Sequence, residues 1–578
     1  MAETLLSPGV LARENDQSFI QGQPVEVGAA IIGPTTKGPK ETPTLVGSFG
    51  EFTQIFGGAV ESGSTTYSYL TSISANNYFQ NGGNSLLVTR VVSGSFTPAT
   101  SSLIETGSGG PTTGGSPFVL ETISEGEIMN TGEDEISDGA LETGSADNVR
   151  WEIASVNTSS GTFSLLIRRG DDNNNQKVVL ESYNNISLDP YEPNYISKVI
   201  GDIDHTLRND GTDYYIQESG SYSNISKYVR VKEVNFKTPK YFDNTGTAKD
   251  EFTGSLPVIQ SGSFGNAAGS NIPVGRTANF YQNINNVDTQ GLLGSDYNDA
   301  IALLANTDEY KYNIITAPGL IDANTNTGSP QITSLVNNTI ARGDAISVID
   351  LVGYGSQINT VINQTSGFDS SYASTYWPWL QTIDPNTGEA VYVPASTMIP
   401  GVFAFTDASS EPWFAPAGIT RGGLGQVIRA ERKLTAGNRD SLYEANINPI
   451  ATFPQSGVVV FGQKTLQKRA SALDRVNVRR LLIALKSFIG QVADNLVFEQ
   501  NTIATRNNFL SQVNPYLESV QQRQGLYAFK VVMDDTNNTP DVVDRNELVG
   551  QIFVQPTRTA EFIILDFNVL PTGATFPA

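Results

Sequence analysis

Residues 446–480 read NINPIATFPQSGVVVFGQKTLQKRASALDRVNVRR. A buried-looking apolar run, GVVVFG at 457–462, leads through a polar connection, QKTL, into text with helical periodicity. Lys468, Arg475, Arg479 and Lys486 lie at offsets of 0, 7, 11 and 18. At about 100° per residue all four fall within about 20° of one azimuth. Leu481, Leu485, Phe488, Val492 and Leu496 collect on the opposite side. The spacing predicts an amphipathic helix carrying a basic stripe, with one face for its own core and one for a partner or for water.

Charge sharpens that reading. The 578-residue chain carries a formal charge of −23, yet between Arg421 and Lys486 twelve Lys and Arg stand against four Asp and Glu. The total argues against a general nucleic-acid binder or an anionic-membrane binder, since both need a positive field. There are no cysteines and one histidine, His205. A disulfide, a thiolate metal site, a cysteine nucleophile and a multi-His metal site are therefore excluded within one chain. No run approaches the ~18 apolar residues of a membrane helix, and the first residues lack a secretory signal's basic and apolar regions.

Outward from this stretch, the chain alternates. GAAIIG at 28–33 and TLV at 44–46 read as strands. Ser48 caps a helix over 49–56, stopped by Gly57 and Gly58; a second helix fits 67–79, and SLLVTRVV at 85–92 reads as a strand. The same alternation resumes with a helix at 297–304, a strand at 312–316, a helix at 331–341 and a strand at 345–350. Between them, 93–117 is Ser/Thr/Gly/Pro-rich and reads as a linker or exposed loop. Nine acidic residues from Glu121 to Asp147 follow with no basic residue among them, predicting a solvated outer surface. Residues 151–156 and 162–168 predict a β-hairpin. Beyond the basic helix come a helix at 508–524 and strands at 527–533, 548–554 and 560–569.

The expected fold is a multidomain α+β and α/β chain: a split α/β middle domain (24–92 plus 291–400), a β-rich outer insertion (93–290), and a C-terminal α+β inner domain (401–555). Arms at 1–23 and 556–578 flank them.

An ordered series of short motifs carries a resemblance. It runs from Ser7, Pro8, Gly9 and Val10 through Gly33, Pro34, Lys37, Gly38 and Pro39 to PTLV at 43–46 and Phe52, Phe56, Gly57 and Gly58. It continues with YWPW at 376–379, VPAS at 393–396, Gly401, Val402, Thr406, Asp407 and WFAPAG at 413–418. NINPI at 446–450, GQKTL at 462–466, VRR at 478–480, Phe498, Glu499, Gly525, Pro556, Glu561 and Phe562 complete it. The chain resembles the contractile tail sheath proteins of myovirus-type bacteriophages. Phe461 departs from the pattern, an aromatic standing where many relatives carry Trp.

The resemblance implies a structural subunit, not an enzyme and without a cofactor. It would polymerise helically around a tail tube and contract to drive the tube through a target envelope. Its partners would be further copies, the tube protein, and baseplate and tail terminator proteins, with no direct nucleic acid and no membrane insertion. Its place would be the virion tail, assembled in the host bacterial cytoplasm. Lys468, Arg475, Arg479 and Lys486 would face the tube. Two arms, marked by Ser7, Pro8, Gly9 and Val10 and by Phe562, Ile563, Ile564 and Leu565, would add strands to the inner domains of neighbouring subunits. The rival reading is a phage-tail adhesin whose acidic outer domain binds a surface.

Overall fold

The computed structural model describes residues 28–62, 65–107, 115–129, 135–211, 213–270, 272, 278–285, 287–322 and 329–561. The fold is mixed α/β. At its centre lies an eight-stranded sheet, in the order Thr44–Val46, Leu86–Arg90, Ala29–Gly33, Ile314–Ile321, Ile346–Asp350, Ala373–Trp377, Asn448–Phe453 and Gly457–Val460. The six inner strands run parallel, and one antiparallel strand closes each end.

Parallel strands are buried on both faces, so their text is apolar without alternation. All of Ala29–Gly33 and Ile346–Asp350 is buried. Successive side chains still enter different cores. Ala29, Ile31, Val88, Ile314 and Ile346 pack on one face, and Ala30, Ile32, Leu87, Ile315 and Ile349 on the other.

Helices cover both faces. Phe49–Phe56 starts where the Ser48 hydroxyl accepts from the Glu51 amide at 3.1 Å, and it ends at Gly57, whose φ is 75°. Phe52 and Phe56, one turn apart, are its buried side. Leu70–Gln80 packs on Ile399–Ser409, where the Asn77 side chain donates to the Met398 carbonyl at 2.9 Å. A Cβ at Gly401 would lie 2.3 Å from the Asn77 amide nitrogen, so the crossing needs glycine there.

The chain leaves this sheet after Arg90 and returns at Ile314. In between it builds a seven-stranded antiparallel sheet: Val179–Ser187, Thr162–Arg169, Val149–Asn157, Gln260–Gly265, Pro98–Ser101, Phe118–Glu125 and Val229–Val234. Its own core holds Phe118, Trp151, Phe163 and Phe264. Buried Arg168 makes a two-pronged pair with Asp172 at 2.7 and 2.8 Å and meets Glu152 at 2.8 Å. The ends of the unit close on each other, with the Thr97 amide donating to the Ala268 carbonyl at 2.9 Å.

Several sequence expectations change here. Residues 98–101, read as linker, form a strand within the second sheet. Glu121 is not solvated; it is buried and paired with Arg230 and Lys232, which arrive from a distant strand. Phe280, Tyr281 and Ile284, assigned to the insertion, belong to the core of the central sheet. The boundary at residue 400 cuts through one unit, because 448–460 supply the last two strands of the sheet that begins at residue 29. Local periodicity does not reveal which sheet a strand joins.

A fourth core gathers beyond that sheet. Val476–Asp494 and Ile503–Gln522 pack through Leu481, Leu485, Val492, Phe509, Val513 and Leu517, and an antiparallel hairpin, Leu526–Val532 with Gln551–Pro556, lies against them. The expected apolar helix face is this packing surface. No helix among the described residues is long and apolar enough to cross a membrane.

Candidate functional site

The basic stripe does not form as one helical face. The helix begins at Val476, not Lys468; Arg475 is its N-cap residue, with extended φ and ψ of −115° and 134°. Residues 463–476 instead close a loop against the end of the central sheet. The Thr465 amide donates to the Asp474 carbonyl at 3.0 Å, the Val476 amide to the Gln463 carbonyl at 2.8 Å, and the Leu466 amide to the Ala373 carbonyl at 2.9 Å. Ser471 caps a single turn at Ala472–Asp474. These bonds satisfy backbone groups that a helix would have satisfied, so helical spacing before residue 476 has no geometric meaning.

The four cations therefore fall in different settings. Lys468 is exposed on the loop; its amide donates to the Asp369 carboxylate at 2.9 Å and its ammonium to the Ser366 carbonyl at 2.8 Å. It borders a cleft of about 160 Å³ shared with Thr365, Phe368 and Glu444. Arg475 is partly buried, with Nε donating to Glu561 at 2.7 Å and a second nitrogen 3.0 Å from Asp474.

Arg479 is 4% exposed, lies 3.9 Å over the Tyr372 ring and donates to the Ser371 hydroxyl. Burial lowers its pKa from the ordinary value, against the pull of Tyr372. Lys486 lies exposed on the other flank of this contact, 3.2 Å from the Tyr372 hydroxyl. Arg480 is buried as well, paired with Asp407 and 4.7 Å over Phe403. The first turns of the helix are inserted into the fold and buried all round, so an azimuth calculated for an isolated helix cannot separate core from surface there.

Arg429, Arg432, Lys433, Lys468, Arg469 and Lys486 remain exposed. None of these six forms an ion pair among the described residues. Ser7, Pro8, Gly9, Val10, Phe562, Ile563, Ile564 and Leu565 lie outside the described residues.

Sequence reading missed Tyr372 and Tyr443, the aromatic partners of these cations. Tyr443 carries Lys464 at 4.4 Å and Arg475 at 5.9 Å over its ring, and its hydroxyl donates to Glu561 at 2.8 Å. Neither tyrosine stands at a spacing that announces this. Glu561 appeared only as one member of the motif series.

Two family models match consecutively, the phage tail sheath protein central domain over residues 292–466 and the phage tail sheath C-terminal domain over 469–570. Over these residues the chain is similar to phage tail sheath proteins. The tail sheath protein of Vibrio phage KVP40 is 43% identical over 185 residues, which is 32% of this chain and 28% of that protein. That of Enterobacteria phage T4 is 35% identical over 230 residues, 40% of this chain and 35% of that protein. The matches thus span about a third of the relatives' own length. Among solved structures, a sheath tail protein from Listeria innocua aligns over 92% of this chain and 95% of its own, at 11% identity and a TM-score of 0.49.

Proposed function

We propose that this chain is the structural subunit of a contractile tail sheath, polymerising helically around a tail tube and shortening to drive the tube through a target envelope. The carrying observation is the pair of sheath-domain matches, which follow one another without rearrangement from residue 292 to residue 570. No catalytic step enters this function. The work comes from a change of packing between subunits, with the extended polymer held at higher free energy than the contracted one.

The fold suits this assignment in three respects. The seven-stranded sheet, which leaves and rejoins the central sheet through closed ends, would stand on the outside of the cylinder. The C-terminal core and these exposed cations would face inward. Lys468 and Lys486, with Arg469, would meet an acidic tube, and Arg475 and Arg479 would hold that face in shape. Such exposed contacts are screened over about 10 Å at 0.1 M salt, which lets contraction release them.

Third, the hairpin Leu526–Val532 with Gln551–Pro556 has no further strand among the described residues, and Tyr527 and Phe553 are exposed on it. An open edge so close to an interface invites strand addition. The segments 1–23 and 562–578 of neighbouring copies would supply it, linking the subunits, while baseplate and terminator proteins would bound the polymer's ends. The assembled sheath would be a virion component built in the host cytoplasm.

Negative-stain images of the purified full chain test this. Wide, hollow helical tubes are expected. A monodisperse, soluble particle that binds cell surfaces would favour an adhesin and overturn the proposal.

A further inference from the structure

The hairpin's second strand ends at Pro556, and the chain then turns back toward the central sheet. The Thr557 amide donates to the Gly525 carbonyl at 3.1 Å, and the Thr559 hydroxyl accepts from the Gln463 side-chain amide at 2.6 Å. At Glu561 three separate elements converge. Tyr443, from the helix Ala436–Glu444, donates its hydroxyl to one carboxylate oxygen at 2.8 Å. Arg475, at the start of the helix Val476–Asp494, donates to the other at 2.7 Å. Gln463, from the loop after Gly457–Val460, donates to that same oxygen at 3.1 Å.

Glu561 and Arg475 are only 18% and 25% exposed, so the pair is substantially screened from water. A guanidinium, a phenol and an amide on one carboxylate is more than an adventitious surface pair provides. Charge-assisted bonds are roughly twice as strong as neutral ones.

We infer that Tyr443, Gln463 and Arg475 form a clamp on Glu561 that fixes the point and direction in which the C-terminal segment leaves the subunit toward a second copy of this chain. The inference rests on the sheath reading, since a departing segment needs a destination only in a polymer. It gives Arg475 a role different from tube contact: it is a positioning residue for the linking arm. The Tyr443 hydroxyl is raised from its ordinary pKa by burial and then by Glu561, so it stays a donor over the whole working range. Lys464 lies over the same ring and is the remaining cation of the cluster, with Asp474 and Glu444 as the nearby acids. The clamp also ties the arm to the central sheet, because the loop carrying Gln463 is bonded to the strand Ala373–Trp377.

The test uses the full chain with Glu561→Gln, Arg475→Gln and, as the mildest change, Tyr443→Phe, which keeps the ring. Hydrogen exchange over 557–561 should rise on the order of tenfold or more in the first two and less in the third. Thermal unfolding of the three should match the wild type, and tube formation should fall in the same order as exchange rises. Wild-type exchange in Glu561→Gln, or undiminished tubes from it, would overturn the clamp. If the wild type itself forms no tubes, the sheath reading fails, and the exchange data alone decide whether the clamp holds the segment.

Discussion

Asp350 ends a central strand with its carboxyl enclosed, accepting from the Ser396 amide at 3.1 Å and from the Ser396 hydroxyl. Burial raises its pKa to about 6, while the Ser396 bonds pull the other way. The folded carboxyl therefore keeps its proton where the unfolded one, with a pKa near ~3.9, has lost it. The contribution to stability is full below about pH 4 and is lost as pH rises through about 6, amounting to on the order of 3 kcal/mol. Asp350→Asn cannot ionise, so its melting temperature should respond less to pH across that window than the wild type's. An identical slope for both proteins would contradict the assignment.

Arg479 and Lys486 make a sharper pair at the same scale. Both touch Tyr372, but one is buried and the other exposed. Arg479→Glu should cost about 3 kcal/mol or more by leaving an uncompensated charge in the interior. Lys486→Glu should leave thermal unfolding within about 0.5 kcal/mol of wild type and change only partner binding. Equal unfolding curves for the two variants would mean that Arg479 is not held as described. The sequence showed both as members of one stripe. What separates them is the packing of Ser371 and Tyr372, from the turn before the strand Ala373–Trp377, against the helix's first turns, a long-range fact that no local spacing carries.

At the scale of elements, legibility followed how local the cause was. The helix Phe49–Phe56 was readable to the residue, because Ser48, Phe52, Phe56 and Gly57 all lie within it or at its ends. Ser48→Ala should cost about 1 kcal/mol, measured by denaturant unfolding; no change would mean that the cap bond contributes nothing. The strands at 29–33 and 346–350 were legible because burial on both faces leaves an apolar run. The start of the helix Val476–Asp494 was not, because the loop before it is bonded to the sheet's end. Polar residues hid the strand Pro98–Ser101, whose partners lie at 121–125 and 264–265.

Two large sheets and a C-terminal core dominate the molecule, and the outer sheet's unit meets the central one through Gly38 with Ser124, Lys40 with Glu125 and Lys227 with Glu51. Because Thr97 and Ala268 meet, residues 98–267 form an insertion with adjacent ends. Replacing them by a short flexible linker should leave the eight-stranded sheet folded, with a single cooperative melt. A molten product would show that the outer sheet is part of the central unit's stability. Charge set a basic stretch apart from an acidic total; assigning them to an inside and an outside drew on the family resemblance. The hairpin's edge, without a further strand among the described residues, and the Glu561 clamp were not legible, since both depend on segments apart in sequence.

The orientation is the central claim, and a helical reconstruction of the polymer formed by the purified chain tests it most directly. The account predicts the seven-stranded sheet at the outer radius, Lys468 and Lys486 facing the lumen, and extra strands beside Leu526–Val532 or Gln551–Pro556 contributed by neighbouring subunits. A polymer with the seven-stranded sheet lining the lumen, or with that hairpin unaccompanied, would contradict it.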